Sequence, residues 1–138
     1  MTSKFLRPLF VIAAVYDLVL GIAFTFMPLS IFRYFEVTPP DYLGYVQFPA
    51  LLLLIFAAMF FRIASDPVRY RYLIWYGIGL KVAYSGVAFW HYFTSDLPWM
   101  WMPWAVFDIV FLVFFLAALV TTRNSRVAGA TNTMERQT

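Results

Sequence analysis

Cysteine is absent from these 138 residues, which excludes disulfides, thiolate metal sites and thiol catalysis and leaves the redox compartment unreadable. Charge is scarce too. Asp, Glu, Lys and Arg make up 12% of the chain, about half the share of a soluble domain. His91 is the single histidine, so a histidine-built metal centre has no second imidazole to draw on. No Walker loop, HExxH or GxSxG sequence occurs, and hence no catalytic or metal-ligating residue is marked by a motif. The net charge of +3 sits mostly on arginines flanking apolar segments, a signature of membrane orientation rather than nucleic-acid binding.

What the chain has in excess is apolar surface. Hydrophobic residues make up 63%, more than one small domain can bury, so part of the solvent must be a lipid bilayer. A hydrocarbon core about 30 Å thick needs roughly 20 apolar residues per helix. Four segments meet that, at about 8–27, 45–61, 72–92 and 102–121. The expected fold is all-α: a membrane-spanning four-helix bundle over 1–122, followed by a disordered polar tail, 123–138. The first segment is too long for a signal peptide and carries an acid at its centre.

Basic residues set the orientation. Lys4 and Arg7 precede the first span, Arg62, Arg69 and Arg71 lie between the second and third, and Arg123, Arg126 and Arg136 follow the fourth. Both termini are therefore expected on the cytoplasmic side. On the outer side, "DLPWMWMPW" (96–104) reads as an aromatic belt. "PLSIFRYFEVTPPDY" (28–42) reads as a short interfacial helix dipping Ile31, Phe32 and Phe35 into the headgroups, stopped by Pro39 and Pro40.

Three ionisable residues stand inside the spans: Asp17, Lys81 and Asp108. At 1.5 Å per residue, Asp17 and Lys81 lie roughly 13 Å from the cytoplasmic ends of their spans, and Asp108 roughly 9–12 Å from the outer end of its own. All three thus reach a common depth near the bilayer centre. Each would cost about 2.5–3.5 kcal/mol facing lipid, which turns them inward. Ala13, Asp17, Gly21 and Thr25 form one ridge of small or polar side chains, and Gly77, Lys81 and Ser85, with Tyr84 adjacent, form another. Such ridges allow close helix approach in lipid, and the first and third spans are expected to meet along them. The bulkier face around Asp108 predicts a looser fourth span. Two acids against one ammonium leave one negative charge in excess, to be met by a retained proton or a bound cation. The cluster reads either as a device that fixes helix pairing or as a midplane site for binding or translocation.

Other polar residues have local readings. Gln47 is expected to make an interhelical hydrogen bond, with an outer-face ligand contact as the alternative. His91, with Trp90 and Tyr92, reads as an interfacial group, with contact to a quinone or lipid headgroup as the alternative. A haem would need Met100 or Met102 as the second axial ligand, so no cofactor is expected. "AVYDLVLG" (14–21) is echoed by "AVFDIVFL" (105–112), although a two-plus-two inverted repeat would match the first span to the third instead.

The order of "YDLVLGIAFTFMP" (16–28), "TPP" (38–40), "DPVRYRYLIWYGIGLK" (66–81) and "LPWMWMPWAVFDIVF" (97–111) resembles the small four-helix DoxX-like proteins over about 110 residues. The resemblance implies a multi-pass protein of the bacterial cytoplasmic membrane. The group's named member is similar in size to an accessory subunit of a membrane thiosulfate:quinone oxidoreductase; with neither cysteine nor a haem ligand pair here, that redox activity does not carry over. Three functions stay open: a non-enzymatic accessory subunit of a membrane complex, a small homo-oligomeric transporter or proton-linked binding protein using Asp17, Lys81 and Asp108, and a membrane enzyme acting on a lipid or quinone.

Overall fold

A computed structural model of the chain describes residues 3–135. Its helices are α1 (Leu6–Phe26), α2 (Pro28–Tyr34), α3 (Gly44–Ser65), α4 (Ile74–Thr94) and α5 (Met102–Glu135), with single 3-10 turns at Ser3–Phe5, Arg71–Leu73 and Trp99–Trp101. No strand forms among the described residues. Apolar runs in lipid leave the backbone no solvent to bond, so it satisfies itself as helix. The boundaries follow from local chemistry. Met27 precedes Pro28 and leaves the helical region at φ −130°, as a residue before proline tends to, while Pro28 opens α2 at its first turn. α2 ends where Glu36 turns left-handed at φ 56° and the Val37 N–H donates to the Phe32 carbonyl at 2.9 Å, a Schellman-type stop.

Three stretches, Leu6–Phe26, Gly44–Ser65 and Trp99–Ser125, are long and apolar enough to cross a membrane. They carry large apolar side chains on their outer surfaces, among them Ile12, Val19, Ile55, Val113 and Val120. Patches of that extent are foreign to a water-soluble monomer, and the chain is a membrane protein. α4, at 21 residues, is about 31 Å long but less apolar, because it holds Lys81, three glycines and several polar-tipped rings.

The helices pack as two close pairs, α1 with α3 and α4 with α5. This corrects the expectation that the small-residue ridges of α1 and α4 meet each other. Gly21 of α1 faces α3 instead: a methyl group there would lie 2.5 Å from Leu54 Cδ2 and 2.9 Å from the Ala50 carbonyl oxygen. On α4, Ser85 Oγ donates to the Ala105 carbonyl of α5 at 3.2 Å. α5 is therefore not the loose element that its bulk suggests. Between the two pairs runs a seam that side chains must fill.

The seam is closed differently at its two ends. At one end Phe10, Phe60 and Phe115 are fully buried and mutually packed, with centroids 5.1 Å apart for Phe10–Phe115 and 5.2 Å for Phe60–Phe115. The same end carries the arginines: the Arg7 guanidinium donates to the Ser65 carbonyl at 3.2 Å and Arg71 Nε to the Leu119 carbonyl at 3.2 Å. At the other end Phe24, Phe32, Ala50 and Met100 form a second core, with Ile31, Phe35 and Trp101 packed against it. Two expectations change here. The apolar face of α2 folds onto the protein rather than dipping into headgroups, because Phe24 and Trp101 offer it a dry surface. Of the tryptophans read as an interfacial belt, Trp99 is exposed, whereas Trp101 stacks on Phe24 at 5.5 Å.

α5 stays helical to Glu135, through 123–135 of the stretch expected to be disordered; residues 136–138 of that tail lie outside the described residues.

Candidate functional site

Asp17 of α1, Lys81 of α4 and Asp108 of α5 converge across the seam. Lys81 Nζ donates to Asp17 Oδ1 at 2.8 Å and lies 3.0 Å from Asp108 Oδ1. The second contact is an ion pair by distance, while Asp108 Oδ1 makes no hydrogen bond of good geometry among the described residues. Burial is close to complete, with relative side-chain exposures of 0% for Asp17, 1% for Lys81 and 7% for Asp108. The α1 and α4 backbones stay apart at this level, and the four-carbon stem of Lys81 crosses the gap that the ridges leave. Its ammonium also stands 5.2 Å from the Tyr16 ring centroid, 5.4 Å from Phe111 and 5.8 Å from Phe60. Each such face adds about 0.5–2 kcal/mol to holding a desolvated cation.

The triad is not sealed into solid core. It forms the polar floor of a cavity of about 370 Å³ in the seam, on the side opposite the Phe10–Phe60–Phe115 packing. Tyr16, Leu20 and Phe24 of α1 line one wall, Tyr45, Pro49 and Leu53 of α3 another, Tyr84 of α4 a third, and Trp101 and Trp104 the fourth. Pro49 lies inside α3, where its missing N–H removes the usual partner of the Tyr45 carbonyl. The walls are otherwise apolar and aromatic, and the volume falls in the range of small-molecule sites, roughly 300–1,000 Å³.

Several polar atoms around this floor are unsatisfied. Asp17 Oδ2 and Trp104 Nε1 are buried without a hydrogen-bond partner among the described residues, and both residues line the cavity. An unmade buried hydrogen bond costs about 1–3 kcal/mol. An unpaired acceptor, an unpaired donor and a second carboxylate thus belong to residues lining one apolar space, the arrangement of a site that holds a polar group at the end of a greasy molecule.

The supporting residues divide. Tyr84 Oη donates to the Trp101 carbonyl at 3.1 Å and Ser85 bonds Ala105, so both tie α4 to α5 beside the cavity. Gln47 Nε2 donates to the Thr25 carbonyl at 3.0 Å, an α3–α1 bond, while Thr25 Oγ1 is buried without a partner. His91 is not drawn into the site. It faces outward, 2.9 Å from Ser95 Oγ, and Trp90 and Tyr92 are exposed beside it. Met100 is fully buried in the second core, away from any pairing with His91. No group of three acidic or histidine side chains able to hold a metal ion forms among the described residues.

Tyr16, Tyr45, Pro49, Trp101 and Trp104 are the wall residues that sequence reasoning missed. Tryptophans near a span's end read as interface anchors, and only the rotation of α5 and the docking of α2 decide whether a ring turns inward. No protein-family model matches this chain, and no curated protein or solved structure shows significant similarity to it.

Proposed function

We propose that this chain is a four-span protein of the bacterial cytoplasmic membrane, both termini inside, that binds a small amphipathic molecule in the seam between its helix pairs. α4 completes the set of four as the third span, since its length suits a bilayer and its charged residue is turned inward on Asp17 and Asp108. The order of segments resembles the DoxX-like proteins, which accords with that topology. The observation that carries the binding function is the placement of the charges: Asp17, Lys81 and Asp108, though nearly fully buried, all lie in the lining of one apolar cavity. Four helices enclose little volume, and transport through this site would take a homo-oligomer.

A second reading has its own support. Lys81 contacts both carboxylates at once, which suits a device that registers α1, α4 and α5 in an accessory subunit of a larger membrane complex.

Energy transfer from Trp101 and Trp104 to N-phenyl-1-naphthylamine, in detergent, separates the two. Binding in the seam predicts saturable transfer that disappears in Leu53→Trp, a substitution that fills the cavity and leaves the charges in place. Equal, non-saturating transfer in both proteins would report partition into the micelle and remove the binding function. The accessory reading predicts that the protein purifies from mild detergent with a second polypeptide.

A further inference from the structure

The charge on the cavity floor selects the chemistry of the occupant, given that the seam is a binding site. Asp17 and Asp108 carry two negative charges when ionised and Lys81 one positive charge. Among the described residues lining the cavity Lys81 is the sole cation. It is already committed, at 2.8 Å to Asp17 Oδ1 and 3.0 Å to Asp108 Oδ1. With both acids ionised the floor therefore carries a net negative charge, and Asp17 Oδ2 is buried at 0% residue exposure and unpartnered among the described residues. A buried charge without a counter-charge is expensive in a medium of low dielectric.

Three kinds of occupant can be weighed against this floor. An anion would reach the ammonium only by passing within range of two carboxylates, which oppose it. A neutral molecule would fill the apolar walls but leave the proton on one acid, and would draw nothing from the second carboxylate. A cation neutralises the excess, and the walls are suited to it: Tyr16, Tyr45, Tyr84, Trp101 and Trp104 all line the cavity. Tyr and Trp are among the aromatic side chains whose faces attract a desolvated cation. The remaining walls, Leu20, Phe24, Pro49 and Leu53, require that the charge be carried on an apolar body.

We propose that the ligand class is a lipophilic monocation, an ammonium on an aromatic or aliphatic frame, whose charge sits at Asp17 and Asp108 and whose frame fills the seam. A proton on one of the two acids is the state it displaces.

Three probes of similar shape and different charge test this: phenyltrimethylammonium, its neutral isostere tert-butylbenzene, and benzenesulfonate, each competing with N-phenyl-1-naphthylamine on the full-length protein in detergent. The expected result is that the cation displaces the dye at a concentration about tenfold lower than tert-butylbenzene does, the gain of roughly one good charge–aromatic or charge–charge contact, and that benzenesulfonate is the weakest. Asp108→Asn keeps the Lys81–Asp17 hydrogen bond while making the floor neutral, and it should erase the cation's advantage, so that phenyltrimethylammonium and tert-butylbenzene displace the dye at similar concentrations. Should that variant not fold, Trp104→Leu keeps every charge and removes one ring, and must shrink the same advantage. Equal displacement by cation and isostere, or an advantage unchanged in the variants, would overturn the cation proposal and leave the cavity as a site for neutral amphiphiles. Absence of saturable dye binding in the unmodified protein would instead take down the binding function on which this inference rests.

Discussion

At the scale of single residues, the energetics of Lys81 decide how the buried charges can be altered. Lys81→Met strands two carboxylates in the seam, and breaking a buried pair by removing one partner costs about 3–5 kcal/mol. Asp17→Asn combined with Lys81→Met leaves Asp108 as the one stranded acid, which a single retained proton neutralises, and replacing the Lys81–Asp17 ion pair with neutral groups of similar size is near neutral. Asp108→Asn spares the 2.8 Å hydrogen bond between Lys81 and Asp17. Thermal unfolding in detergent is therefore expected to rank the proteins with Lys81→Met far the least stable and the double variant and Asp108→Asn close to the unmodified chain. A double variant as unstable as Lys81→Met would mean that the charges are individually indispensable. These three residues were legible in the sequence because a charge inside an apolar run has so few tolerable surroundings. Trp104 and Tyr16 were not, because an aromatic ring is equally at home against lipid, in a core or in a cavity wall.

Between residue and fold, the helices show what a small-residue ridge does and does not reveal. Spacing of four residues told that α1 and α4 each have a face made for close approach. It could not name the neighbour, because glycine and alanine accept any partner that comes near. Each ridge found its closest partner in one other helix, α1 in α3 and α4 in α5, although α3 and α4 are joined by a shorter connection than α1 and α3. The consequence is testable within α4 alone. A methyl group at Gly77 would lie 2.6 Å from Phe60 Cε1 and 3.2 Å from Phe115 Cε2, both on rings that are fully buried and cannot retreat. At Gly79 a methyl group meets nothing within 4 Å. Gly77→Ala is expected to destabilise by about 1–3 kcal/mol through overpacking. Gly79→Ala should be neutral or gain up to about 1 kcal/mol from reduced backbone freedom. Unfolding midpoints of the two variants, measured side by side, check the pairing of α4 against the aromatic packing without touching the charges.

For the whole molecule, the alternation of helix directions makes a prediction that the missing cysteines render clean. The Arg7–Ser65 and Arg71–Leu119 hydrogen bonds place the start of α1, the end of α3, the approach to α4 and the late part of α5's apolar stretch at one end. The Gln47–Thr25 and Tyr84–Trp101 bonds gather the opposite ends at the other. Arg62 and Arg69 flank Tyr70 at the first end, 4.6 and 5.5 Å from its ring centroid, and the topology proposed above puts this arginine-rich end on the cytoplasmic side. If α4 spans the bilayer with α1, α3 and α5, single cysteines at Ser65 and Asn124 must lie on the cytoplasmic side, and those at Thr38 and Asp96 on the outer side. A membrane-impermeant maleimide applied to intact cells should then label Thr38→Cys and Asp96→Cys, and reach Ser65→Cys and Asn124→Cys only after the membrane is opened. The decisive pair is Ser65 and Asp96, which bracket α4. Were Asp96→Cys protected in intact cells together with Ser65→Cys, α4 would not cross. Lys81 would then have reached Asp17 and Asp108 from a helix that enters and leaves on one face, and the seam could not be a site at the bilayer midplane. Opposite labelling of the two positions puts Lys81 inside a crossing helix. There the expense of a lone ammonium in hydrocarbon, about 2.5–3.5 kcal/mol on insertion scales, accounts for its being caged by two carboxylates and three rings.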